Sequence, residues 1–540
     1  MWAGLLLAAL TYVSPVHYPI ELAGNFGEPR PNHFHAGIDV KTDRTINKPI
    51  YAVADGFISK VSVGTHGFGK AVYVRHPDGN TSVYVHLNKF APQIEGAVKQ
   101  FQYTHKVYAA DISFSTTMMP VHKGQFIGFS GNTGSSQGPH LHFELHRTNT
   151  DNLLDPLPYL KKYIKDTTPP AVYSFKAYPV IGEGVFQHSS QSQVFTFDKG
   201  HFSAWGKVGF GLRTADHMDC VYNSFGVRYI QLYCDNKLVF AANVTGLPQT
   251  MHRMMNSWGD YDHFMQTRTW FLKSFKEPGN RLPFLKTGSG QGFINFNQCR
   301  EYHLRYVVSD VFGNQAIKEF TVLGTPEAYG TKQNFSGPNA LLPSRNNVWK
   351  ADGIQLTIPG RLLSVPLMLK PESINLSQAL SRGIHFTPDN VPLLGWTDIA
   401  FRIPATTVEP RKLFVAMTGT GTPPRYCKSQ AKNGWVYAKV RELGMTYYLT
   451  SDNDAPSIKA GSTAYDHVTL SITDQGSGVA GWEASIDGHF VLFEPQKNPT
   501  ILVCDLRNTP LKKLGQKRIL HVKAWDNCGN LRNYQSSINY

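Results

Sequence analysis

Residues 140–147 read His-Leu-His-Phe-Glu-Leu-His-Arg, a strict polar–apolar alternation that an extended strand sorts into two faces. Leu141, Phe143 and Leu145 form one face and call for a core, while His140, His142, Glu144 and His146 form the other. A helix would mix the two sets. The fold must therefore contain a sheet that buries one side of this strand and gathers imidazoles on the other. Two histidines at i and i+2 can supply a metal ligand and a nearby base. An exposed edge strand would explain the alternation, but not why two of the polar positions are His. The segment Ser130-Gly131-Asn132-Thr133-Gly134-Ser135-Ser136-Gln137-Gly138 leads straight into this strand, and its small residues let a substrate backbone approach closely. It lacks the lysine and following helix of a phosphate loop.

Histidine is concentrated at this end of the chain, with eleven of 21 before residue 150. A second motif, His35-Ala36-Gly37-Ile38-Asp39, puts an imidazole and a carboxylate four residues apart. Gly37, with Pro31 and Asn32 upstream, argues for loop or strand over helix, and on an extended segment both side chains face one way. In Tyr84-Val85-His86-Leu87, alternation places His86 on the face of Tyr84 and Ser82. His33 is expected at the surface or beside a ligand, His146 exposed, and Glu144 orienting a ligand. His66, His76, His105 and His122 have no motif support.

A chain of 540 residues is too long for one core. Its 47 glycines and 33 prolines punctuate short runs of Val, Ile, Tyr, Phe and Thr, so the expected class is mostly β. The turn Pro77-Asp78-Gly79-Asn80 predicts a hairpin between 71–76 and 81–87, and residues 91–110 carry a helical period through Ile94, Val98, Phe101 and Val107. Further on, Asp166-Thr167-Thr168-Pro169-Pro170 and Asp452-Asn453-Asp454-Ala455-Pro456 each read as a linker. Each introduces a region closing on an alternating strand and D-x-x-G-N, at Asp310–Asn314 and Asp526–Asn530. These are read as two copies of one β-sandwich (immunoglobulin-like) module. The expected division is an apolar export segment at 1–16, a first domain at 17–165, a β-sandwich at 166–325, a β-rich domain of uncertain type at 326–451, and a C-terminal β-sandwich at 452–540.

The formal charge of +14 suits an anionic environment, but no basic run or basic–aromatic cluster points to nucleic acid. No later segment is long and apolar enough for a transmembrane helix. The six cysteines begin at Cys220 and match no CxxC or zinc-knuckle spacing, leaving disulfides and buried thiols both open.

Taken in order, HAGID, YVHL and GNTGSSQGPHLHFEL resemble the peptidoglycan zinc metalloendopeptidases that include lysostaphin and LytM. Gly24-Asn25-Phe26-Gly27-Glu28-Pro29-Arg30 and Pro49-Ile50-Tyr51-Ala52-Val53-Ala54-Asp55-Gly56 extend the likeness over about residues 20–150. The resemblance implies an antiparallel metallopeptidase domain with Zn2+ held by His35, Asp39 and His142, and with His140 and His86 as catalytic histidines. It implies hydrolysis of peptidoglycan cross-links or stem peptides in the periplasm or cell envelope. The bond stays open between polyglycine bridges and direct cross-links. The alternative is an inactive wall-binding or hydrolase-regulating scaffold of the same fold, although all five residues are kept. One departure is the insertion around 91–119, expected to wall the substrate groove.

Overall fold

The first domain is an antiparallel sheet of β1 (Leu22–Gly24), β2 (Ile38–Lys41), β3 (Gly56–Val63), β4 (Lys70–Arg75), β5 (Asn80–Val85), β6 (Ala110–Ser113) and β7 (His140–Arg147). Their spatial order is β1-β2-β7-β5-β4-β3-β6. The computed structural model describes residues 11–540 except 378, 406–408, 420 and 465. Strand β7 lies between β2 and β5, with His142 opposite Asp39 on one side and Val85 on the other. Leu141, Phe143 and Leu145 are fully buried, and each such side chain contributes ~1.5–3 kcal/mol. The β4–β5 hairpin forms where the turn signal places it, pairing Val72 with Tyr84 and Arg75 with Thr81.

Met1 to Leu10, most of the expected export segment, lie outside the described residues. Beyond them, Tyr12 and Val16 are buried in the first domain's core, and the Tyr12 hydroxyl donates to Asp78 at 2.9 Å. The folded domain thus starts before residue 17, the boundary expected from sequence. Within 91–110, helix α1 (Pro92–His105) buries Ile94 and Val98, while Val107 lies beyond its end and is exposed.

The region expected to be a two-sheet sandwich at 166–325 differs in detail, because hydrogen bonding joins its strands into one eleven-stranded sheet. Two long strands, β8 (Ala171–Phe186) and β9 (His201–His217), pair along most of their length. A parallel pairing of 201–204 with 321–324 joins them to the remainder. Residues 340–451 form two five-stranded sheets around Leu356, Ile399, Val415 and Leu449. Residues 457–539 form two four-stranded sheets around Leu470, Ile486, Leu502 and Leu520. The two D-x-x-G-N segments do share a corner. Asp310 Oδ1 accepts from the backbone N–H of Phe312, Gly313 and Asn314, and Asp526 Oδ1 from those of Cys528 and Asn530.

The helix of the insertion also contacts the C-terminal domain. Lys99 of α1 pairs with Glu494 at 2.7 Å, and the Tyr103 ring meets Phe490 edge-on at 5.3 Å. All six cysteines are free thiols. Among the described residues no helix is long and apolar enough to cross a membrane.

Candidate metal centre

His35 stands in the short loop before β2, and Asp39 and His142 face each other across the β2–β7 pairing. Gly37 makes this approach possible: a Cβ there would sit 2.1 Å from the Phe143 carbonyl oxygen. His35 Nε2 lies 3.0 Å from Asp39 Oδ1 and 3.0 Å from His142 Nδ1, and His142 Nδ1 lies 2.7 Å from Asp39 Oδ1. All three residues are buried, His35 to 2% exposure. Three donor atoms thus converge on one point.

The outer nitrogen of each imidazole is held by an acceptor, and this fixes which nitrogen turns inward. His35 Nδ1 donates to the Asn25 carbonyl at 2.7 Å, leaving Nε2 as the inward lone pair. His142 Nε2 donates to Glu144 Oε1 at 2.8 Å, leaving Nδ1. Glu144 Oε2 accepts from His146 Nε2 at 2.6 Å, and His146 Nδ1 reaches Asp151 Oδ1 at 2.7 Å. Glu144 therefore orients a donor, as its place on the strand suggests. His146 was expected to be exposed and is buried, because Leu153–Leu154 pairs over residues 145–146 and continues onto Gly246–Leu247 of the next domain. Asp39 Oδ2 accepts from Arg30 at 2.8 Å.

Electrostatics favour a cation at the centre. Burial pushes His35 down to about 4, so it stays neutral. Burial also works against charge on His142, but the Asp39 and Glu144 carboxylates outweigh it and hold this imidazole up at about 9. Burial opposes ionisation of Asp39 too, yet His35 and its hydrogen-bond donors keep it well below the usual carboxylate range. A divalent ion would meet the same demand for positive charge, and two imidazoles with one carboxylate suit a first-row metal.

His140 and His86 flank the triad. His140 Nδ1 donates to the Gly138 carbonyl at 2.8 Å, and its Nε2 is 3.4 Å from Asp39 Oδ1. His86 Nδ1 donates to the Thr133 carbonyl at 2.8 Å, and its ring lies 5.0 Å from that of His140. Both rings thus turn Nε2 away from the loop carbonyls, that of His140 toward Asp39. Burial, with His142 and His140 beside it, drives His86 down to about 3, so it is neutral at physiological pH.

The face expected for His86 is corrected. Tyr84 and Ser82 point into the core, where Tyr84 stacks edge-on with Phe143, whereas β5 ends at Val85 and His86 adopts a left-handed φ of 62°. That turn swings its ring to the metal side of the sheet. His33 is exposed, and its Nδ1 donates to the Pro31 carbonyl. Arg30 ends the Gly24–Arg30 segment of the resemblance but the sequence assigns it no partner, and Asp151 lies outside every motif.

Residues 33–156 match the model of Peptidase family M23, and residues 339–452 match that of a Zu5-like domain. The relationship to family M23 is thus carried by the first domain, and the region of uncertain type acquires a likeness. A DD-carboxypeptidase/endopeptidase, Mpg, of Neisseria meningitidis is 37% identical over 111 residues, 20% of this chain and 19% of that protein. The glycyl-glycine endopeptidase ALE-1 of Staphylococcus capitis is 29% identical over 147 residues, 27% of this chain and 32% of that protein. The catalytic domain of lysostaphin from Staphylococcus simulans is 26% identical, covering 26% of this chain and 93% of that structure at a TM-score of 0.20. The chain spans about a fifth of the length of the first curated relatives it matches.

Proposed function

We propose that this chain, whose first domain is related to Peptidase family M23, is an exported zinc-dependent endopeptidase that hydrolyses peptide cross-links or stem peptides of peptidoglycan. The observation that carries the reading is the convergence of His35 Nε2, Asp39 Oδ1 and His142 Nδ1, with two further imidazoles beside them. Two nitrogens, one carboxylate oxygen and no thiolate suit zinc, and three protein donors leave a position for water or substrate. A bound zinc ion supplies Lewis acidity, which acidifies a water toward neutral pH and polarises a scissile carbonyl.

The remaining chemistry falls to the protein. One of His140 and His86 accepts the proton of the attacking water at its Nε2. The other faces the developing oxyanion or gives a proton to the leaving amine. Their Nδ1–H donors to Gly138 and Thr133 leave Nε2 as the lone pair that accepts a proton, and a ring acts on the oxyanion or the leaving amine only after it has taken up a proton there. The loop that supplies both carbonyls, 130–138, is the small-residue segment along which a peptide backbone can lie.

Relatives named for DD-carboxypeptidase/endopeptidase and glycyl-glycine endopeptidase activity favour a peptidoglycan peptide as substrate. Purified protein is incubated with cross-linked muropeptides, and dimer-to-monomer conversion is followed by mass spectrometry. His35→Ala should lose both metal and activity. His140→Ala and His86→Ala should keep zinc and lose ~10²–10⁴-fold in turnover. Wild-type protein that binds no zinc, or that cleaves no stem peptide or bridge, refutes the reading.

A further inference from the structure

Three aspartates from distant parts of the chain meet where the first domain joins the second. Asp166 lies in the linker, Asp216 near the end of β9, and Asp310 opens the first D-x-x-G-N segment. One carboxylate oxygen from each lies within 4.8 Å of the others. They are buried to 8%, 2% and 2% exposure. No Lys, Arg or His side chain among the described residues offsets the charge of Asp166 or Asp216. The nearby Lys161 ammonium bonds the carbonyls of Val311 and Phe312 instead.

Two of these carboxylates point unsatisfied oxygens into the cluster. Asp166 Oδ1 accepts from the Thr168 N–H at 3.0 Å, but its Oδ2 has no partner. Asp216 Oδ1 also has none. Asp310 is the fixed member, its Oδ1 held by three backbone N–H groups and its Oδ2 by the Asn314 amide at 2.7 Å. Burying like charges together without donors is strongly unfavourable unless a cation lies among them or a carboxyl takes up a proton, and burial with the neighbouring carboxylates raises the pKa of Asp166 and Asp216.

The C-terminal domain provides a contrast. Its corresponding cluster is Asp452, Asp474 and Asp526. There both oxygens of Asp452 and of Asp526 accept hydrogen bonds, Asp474 Oδ2 accepts two, and Asp474 is only partly buried. N–H donors meet that cluster's demand, whereas the first cluster is left short.

We propose that Asp166, Asp216 and Asp310 form a second metal site, taking calcium. Its donors are oxygen only, which suits a hard divalent ion and sets it apart from the imidazole-rich centre. Calcium accepts six to eight oxygens in irregular geometry, so carboxylates on a linker, a strand and a turn can serve together. The ion would tie the linker leaving the first domain to both the middle and the end of the second. It is a structural clamp, independent of the peptidase reading.

The test uses the zinc-loaded full chain, made calcium-free and titrated with CaCl2 or MgCl2 by calorimetry, with thermal unfolding in parallel. Asp216→Asn and Asp166→Asn are compared with wild type; Asp166 is on the linker, so its variant guards against a folding failure at Asp216. Wild type should bind calcium at least ~10-fold more tightly than magnesium and gain about 5 °C or more in Tm at ~100-fold excess over Kd. Each variant should lose one bound calcium per chain and most of that shift while keeping its zinc. His35→Ala should lose zinc and keep calcium. A wild type whose Tm ignores calcium, variants that keep the full calcium stoichiometry, or equal affinity for magnesium would each overturn the assignment.

Discussion

Glu144 decides which nitrogen of His142 is offered at the metal centre. Its Oε1 takes the Nε2 proton, and its Oε2 is held in turn by His146 and, through that ring, Asp151. Glu144→Gln keeps the shape but loses the charge, and a side-chain amide can present a donor where an acceptor is needed. Its zinc affinity should fall ~10–100-fold, measured by competition with a chromogenic chelator, with the fold retained by circular dichroism. Unchanged affinity would show that this carboxylate does not set the tautomer. Spacing alone shows only that His35 with Asp39, and His140 with His142, can face one point; the choice of His35, Asp39 and His142 as ligands rests on the resemblance of HAGID and GPHLHFEL to the metallopeptidase motifs. Asp151 cannot be read this way, since it becomes a neighbour of the site only after a chain turn outside every motif, and for Arg30 the motif it ends names no partner. His146 was misjudged because alternation says which face a residue takes, not what later covers that face.

At the scale of elements, β2 and β7 must approach closely enough for Asp39 and His142 to share the proposed ion. Gly37 sets that distance. In Gly37→Ala the new methyl would meet the Phe143 carbonyl, which is backbone inside the sheet and cannot turn aside. The expected result is a loss of about 1–3 kcal/mol in stability, with weakened zinc binding as β2 shifts. Denaturant unfolding and metal analysis of the same sample would check both parts. A variant of wild-type stability and zinc content would mean that the loop has room to move. Local signals were good guides here: the hairpin lies where Pro77–Asn80 predicts, and α1 falls inside the periodic stretch. They failed where a strand stops. Nothing in Tyr84-Val85-His86-Leu87 announces that β5 ends before His86, and the left-handed turn that redirects the ring is made by tertiary packing. The continuous sheet at 171–324 was hidden for a similar reason, because joining its halves depends on a pairing between residues more than a hundred apart.

Across the whole molecule, the C-terminal domain touches the loop that positions both flanking histidines. Glu494 bridges Lys99 of α1 and Lys70 of β4, and the Lys70 N–H donates to Thr133 Oγ1, in the residue whose carbonyl holds His86. Lys497 donates to the Ser136 carbonyl, and Ser136 Oγ lies 3.3 Å from His140 Nδ1. The last domain is therefore placed to hold the 130–138 loop in the shape that aligns His86 and His140. Burial alone would raise the Glu494 pKa, but the two lysines overcome it and hold the carboxylate down at about 2. A depressed carboxylate stabilises the folded state above its ordinary value near 4.5, and that contribution is lost as pH falls toward 2. Wild-type Tm should thus fall more steeply between pH 4.5 and 2 than that of Glu494→Gln, which has no such group to protonate. At neutral pH, Glu494→Gln and Lys497→Ala should keep zinc and lower kcat of the proposed hydrolysis up to ~10-fold, since they would misplace His86 and His140 without removing them. If either variant instead raised kcat, the docked domain would be restraining access to the groove rather than supporting the histidines.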